Sequence, residues 1–132
     1  MKRLIGLLAA AALTAFVSFS FADMKHGAVA KPTTLKGEVV DMGCYMAHEA
    51  HGAKHKECGA KCVAGGMPMG LLTSTGKLYL ITLNHDDADA YNHLKDWIDS
   101  DVEVTGVVTE RAGMRSIDVS SAKAAMATAT AK

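Results

Sequence analysis

Lys77-Leu-Tyr-Leu-Ile-Thr-Leu83 runs into Asn84-His-Asp-Asp-Ala-Asp-Ala-Tyr-Asn-His-Leu-Lys-Asp-Trp-Ile98, and then into Asp101-Val-Glu-Val-Thr-Gly-Val-Val-Thr-Glu110. The first and third pieces read as strands, because β-branched and aromatic residues recur there with period two. The middle piece changes period. Tyr91, Leu94, Trp97 and Ile98 fall on one helical stripe, and Asp86, Asp87 and Asp89 place negative charge in the first turn, where the helix dipole favours it. Asn84 or Asp86 is the expected cap. Trp97 has apolar neighbours at helical spacing and reads as a core plug. His93 lies off the stripe and reads as solvated, and His85 as a hydrogen-bonding loop residue.

Outward from this unit, Gly70–Thr73 and Lys77–Leu83 flank Ser74-Thr75-Gly76 and predict a hairpin, with Gly76 at the position that needs positive φ. On the other side Arg111-Ala112-Gly113 turns the chain from residues 101–110 into Met114–Ser120, where Ile117 and Val119 alternate. Leu35–Met42, with Val39 and Val40, supplies a first strand. The result is a mainly β chain with one or two helices. Its five strands, with a helix between the third and fourth, follow the order of a small OB-like barrel. A half-open barrel or a small α+β sandwich fits the same order, and the fold alone names no function.

The ends read differently from the middle. Lys2 and Arg3, the apolar run Leu4–Val17 and Ser20-Phe21-Ala22 form the pattern of a cleaved signal peptide over residues 1–22. The apolar run is too short to span a bilayer, so no membrane span is expected after cleavage, and the expected location is periplasmic or secreted. Residues 23–33 read as a flexible lead-in. Residues 121–132 lack large apolar side chains and read as a disordered tail. The expected domain is therefore residues 34–120, with an insertion at residues 43–66. The whole chain of 132 residues carries 14 basic and 14 acidic residues. Loss of Lys2 and Arg3 leaves the domain faintly acidic, with few aromatics, which argues against nucleic acid as a partner.

The insertion carries the chemistry. Cys44, His48, His51, His55, Cys58 and Cys62 follow one another at gaps of 4, 3, 4, 3 and 4, the spacing of one helix face. One straight helix would hold Cys44 and Cys62 about 27 Å apart. A break near Gly52 would instead let the chain fold back, bringing Cys44 to His55, Cys58 and Cys62. Three thiolates and one imidazole form a tetrahedral set suited to zinc or another thiophilic transition metal. Met42, Met46, Met67 and Met69 flank the set and would favour copper, although Met42 and Met46 also read as core packing and Met67-Pro68-Met69 as a turn entering a strand. His48 and His51 are left as spares, as groups behind the ligands, or as a separate weaker site.

Three cysteines in an oxidising compartment also admit a second reading. A bridge from Cys44 to Cys58 or Cys62 would give a disulfide-stapled interaction module with one free thiol and no metal. Neither Cys-x-x-Cys nor Cys-x-x-Cys-His occurs, which lowers an electron-transfer role. No acid–base pair or nucleophile constellation stands elsewhere, and four protein ligands would close the metal's coordination sphere, which disfavours hydrolysis. The expected partners are a metal ion and another exported protein.

The runs Gly37-Glu-Val-Val-Asp-Met-Gly-Cys-Tyr45, His55-Lys-Glu-Cys-Gly-Ala-Lys-Cys62 and Gly65-Gly-Met-Pro-Met-Gly-Leu-Leu-Thr73 resemble a group of small exported, uncharacterised bacterial proteins. The resemblance covers about residues 34–120 and matches at Cys44, Tyr45, His55, Cys58, Cys62 and Pro68. It implies a site at these residues in preference to His48 and His51, and it brings no activity with it.

Overall fold

A computed structural model describes residues 30–125. The expected signal peptide, most of the expected lead-in and the tail from residue 126 lie outside the described residues. Five strands, β1 (Thr33–Asp41), β2 (Met69–Leu72), β3 (Leu78–Leu83), β4 (Asp101–Arg111) and β5 (Met114–Ala124), close a barrel in the order β1-β2-β3-β5-β4. All neighbours are antiparallel except β3 and β5, which pair in parallel. Helix α3 (Asp89–Asp96) makes that parallel pairing possible, since it carries the chain from β3 across the end of the barrel before β4 and β5 return. The chain is thus mainly β, an OB-like barrel whose remaining helices, α1 (Met42–His48) and α2 (Lys56–Ala64), are inserted after β1.

Alternation along the strands fills the interior. Val39, Leu71, Ile81, Val102, Val104, Ile117 and Val119 are buried together, and Leu94 and Ile98 close one end of the barrel over them. Val108 packs only at the margin, beyond a bulge at which β5 carries one extra residue, Ser120, opposite Thr105 and Gly106. Gly76 adopts φ +76° in the β2–β3 turn, as that turn requires. Among the described residues, no helix is long and apolar enough to cross a membrane.

Several boundaries differ from expectation. The strand β5 continues to Ala124, so Ser121–Ala124, expected in the tail, pair with β4, and Ala122 packs on the core. Backbone pairing with a long partner strand orders this stretch despite its small side chains. The strand β1 starts at Thr33, one residue inside the expected lead-in, through its pairing with Gly106. Helix α3 begins later than expected, with Ala88 at the cap position and no side-chain cap. Asn84 and Asp87 instead accept the Asp86 and Asp89 amides in tight local turns. At its other end the helix stops at Asp96, so Trp97 is the C-cap and lies half-buried against the core, while Ile98 is 1% exposed.

Candidate metal centre

The insertion is built around its two ends. Asp41, the last residue of β1, accepts the Gly43 amide on Oδ1 at 2.8 Å and so caps α1. The Met42 amide donates to the Pro68 carbonyl at 3.0 Å, tying the start of the insertion to its exit. Glu49, at φ +53°, ends α1, and Gly52, at φ +81°, completes the reversal. Glu38 on β1 clamps the reversed segment by accepting the Gly52 amide on Oε1 and pairing through Oε2 with His51 Nδ1 at 2.9 Å. Helix α2 then starts at Lys56 behind His55 and stops at Gly65-Gly66, where the Met67 amide returns to the Cys62 carbonyl.

The fold-back has chemical consequences. Cys44 Sγ and Cys62 Sγ, 18 residues apart, lie 3.9 Å from one another. Donor atoms of Cys44, His55 and Cys58 all lie within 4.8 Å of one another, and so do those of Asp41, Cys44 and Cys62. All four residues singled out from the sequence therefore sit close enough to bind a metal, with Cys44 common to both groups. All three cysteines are free thiols. His51 is held by Glu38, its ring edge-on to Tyr45 at 5.9 Å, and His48 is exposed at the end of α1. Among the flanking methionines Met69 is fully buried in the core, Met46 is exposed, and Met67 packs against Gly43.

Two aspartates escaped the sequence reading. The segment after α3 is stitched to β1 by the Asp99 amide donating to the Val39 carbonyl and the Val39 amide donating to the Ser100 carbonyl. This sets Asp99, at φ +53°, beneath α2, where its Oδ2 meets His55 Nδ1 at 2.9 Å. Gly59 makes room: a Cβ there would lie 2.8 Å from Asp99 Oδ2 and 3.2 Å from His55 Nδ1. The carboxylate fixes the tautomer that carries its proton on Nδ1, which leaves a free lone pair on Nε2, and that atom is buried without a partner. Asp41 is the second aspartate, wholly buried, with Oδ2 unpartnered and a carboxylate oxygen within 4.8 Å of the Cys44 and Cys62 sulfurs. Its position three residues before Cys44 was a visible signal, since a carboxylate there shares the helix face of the first ligand. No local pattern points to Asp99.

The electrostatics follow from this crowding. Burial pushes the Asp41 carboxyl up, but the Cys44 thiol, the Gly43 and Cys44 amides and the Cys62 thiol together hold it below its ordinary value of 3.8. The facing Asp41 carboxylate, with burial and Cys62, in turn pushes the Cys44 thiol up to about 12. The neighbouring Cys44 thiol pulls Cys62 down, yet burial and the Asp41 charge outweigh it and leave Cys62 raised. Burial raises Asp99, and the His55 ring offsets only part of that. Without a cation the thiols of Cys44 and Cys62 therefore keep their protons. A bound cation would take the place of those protons.

A concavity of about 870 Å³, lined by Lys36, Glu38, His51 and Trp97 among others, has none of the three cysteines in its lining. Compared with protein-family models and with curated proteins, the sequence matches none.

Proposed function

We propose that this is an exported metal-binding domain that holds zinc or copper through Cys44, His55, Cys58 and Cys62, as a structural centre or in metal handling. The observation that carries the reading is His55: Nδ1 tied to a buried carboxylate, Nε2 buried and unpartnered, and two cysteine sulfurs alongside. An unsatisfied buried polar atom costs about 1–3 kcal/mol, and a metal–ligand bond removes that cost. Residue type supports the same reading, since thiolate and imidazole together suit zinc and copper better than magnesium or calcium.

The scale of the available apolar packing also favours a metal. Helix α1 buries no residue and α2 buries only Gly59 and Val63. One buried valine contributes about 1.5–3 kcal/mol, whereas a structural zinc ion contributes on the order of 10 kcal/mol. An insertion this poor in core gains most of its rigidity from an ion. An exported location, and kinship with the small exported bacterial proteins that share the Cys/His pattern, belong to the same proposal.

One observation favours a second reading. Sulfurs 3.9 Å apart in Cys44 and Cys62 could close to a disulfide in an oxidising compartment, giving a stapled interaction module with Cys58 free. Mass spectrometry before and after thiol alkylation, with elemental analysis of protein purified without a polyhistidine tag, separates the two. Three alkylatable thiols and a stoichiometric transition metal are expected. A deficit of two hydrogens, one alkylatable thiol and no metal would replace the metal reading with the stapled module.

A further inference from the structure

We propose that the donor set holds two metal ions, with the Cys44 thiolate bridging them. One ion would lie among Cys44, His55 and Cys58, and the other among Asp41, Cys44 and Cys62. The inference rests on the metal-binding reading above and changes how many ions the cluster shares and which residues hold each.

Four observations carry it. The two donor groups have only Cys44 in common. Each group also includes a residue with one buried polar atom that has no partner, His55 with its Nε2 in the first and Asp41 with its Oδ2 in the second. The Asp41 carboxylate cannot turn away to find another partner, because Oδ1 is committed to the Gly43 amide at 2.8 Å. A single ion held by three thiolates and His55 would leave Asp41, 0% exposed, as a charged group facing sulfur with only the Gly43 and Cys44 amides, and no cation, to offset it. Burying an uncompensated charge is strongly unfavourable.

Charge and distance agree. Three thiolates and the Asp41 carboxylate carry four negative charges among the donors, which two divalent cations balance and one does not. Three atoms that all lie within 4.8 Å of one another have a common point no more than about 2.8 Å from each. A zinc–sulfur bond is about 2.3 Å and zinc–nitrogen or zinc–oxygen about 2.1 Å, so each group needs a contraction of at most about 0.5–0.7 Å to close on an ion. Three protein donors leave the fourth position of each ion open to water or to an exchanging ligand. That makes the centre more accessible than a sealed tetrahedral site.

Native mass spectrometry of the metal-stripped full chain, titrated with Zn²⁺ alone, reads the ion count. Two ions are expected in the wild type, falling to one in Asp41→Asn and to one in His55→Ala. Asparagine caps a helix about as well as aspartate, so the first variant keeps α1. One ion in the wild type overturns the two-ion arrangement and leaves the metal-binding reading standing; no ion with Zn²⁺, and none in a parallel titration with Cu⁺, overturns both. Two ions persisting in Asp41→Asn overturns the assigned ligands. Cadmium NMR of the wild type tests the bridge without any variant: two resonances that split one another through a shared sulfur are expected. A single resonance, or two that show no coupling, would end the proposal.

Discussion

His55 Nδ1 and Asp99 Oδ2 lie 2.9 Å apart although 44 residues separate them in the chain, and the aspartate side chain is completely buried. A carboxylate behind a ligating histidine fixes the ring's tautomer and orientation and makes the other nitrogen a better donor. Asp99 is therefore a positioning residue for the proposed centre. Asp99→Asn is expected to weaken Zn²⁺ binding about 10–100-fold, the usual effect of removing such a partner. Asparagine tolerates the left-handed backbone at this position, so the fold should survive. Competition against a chelating dye measures the affinity, and an unchanged value would detach Asp99 from the site.

Gly59 tests the same geometry sterically. A Cβ at that position would meet Asp99 Oδ2 and Ile98 Cγ2, each at 2.8 Å. Gly59→Ala gains about 1 kcal/mol of helix propensity but loses about 1–3 kcal/mol to overpacking, so net destabilisation is expected. Urea midpoints with and without Zn²⁺ should both fall, the Zn²⁺-loaded one further. A rise in either midpoint would mean that α2 moves away from Asp99 at little cost.

Metal removal should loosen the insertion and spare the barrel. Helices α1 and α2 together bury little beyond Val63, while Val39, Leu71, Val102, Ile117 and Val119 pack without any contribution from the insertion's donors. After chelation, hydrogen exchange is expected to speed up across residues 42–64 and to stay slow in β4 and β5. Equal acceleration in both regions would show that the ion holds the whole domain together.

Acid stability should depend on Glu103, which joins three strands. Lys123 on β5 lies 2.6 Å from its carboxylate and Lys36 on β1 lies 3.4 Å from it. The hydrogen bond from Lys123, opposed by burial and helped by Lys36, holds Glu103 below its ordinary value of 4.5. The unfolded chain therefore takes up this proton more readily than the folded one. Glu103 adds stability above 4.5 and loses that contribution as the pH falls through the depressed folded value. Both lysines are largely exposed, so the effect is modest and screened by salt. Denaturation midpoints of wild type and Glu103→Gln should differ at neutral pH and converge in acid. A constant difference across that range would rule out the charge as the cause.

Periodicity determined the barrel because each strand's pattern is local. Val102 and Val104, or Ile117 and Val119, alternate towards the interior whatever the rest of the chain does, and Tyr91 and Leu94 mark a helix by spacing alone. The position of Gly52 likewise foretold where the Cys/His segment turns back. Backbone pairing across strands is invisible to such patterns. Ser121–Ala124 looked like tail because their side chains bury little, yet β4 holds them.

Residue type and spacing along the chain also determined that sulfur and imidazole donors gather in the insertion. Only the tertiary structure decided which of them meet. His51 has the same helical spacing as His55, but the Glu38 carboxylate holds it away from the sulfurs. Asp99 joins the site because hydrogen bonds to Val39 carry a distant segment under α2. Metal sites depend on distance in space, and a sequence specifies only distance along the chain.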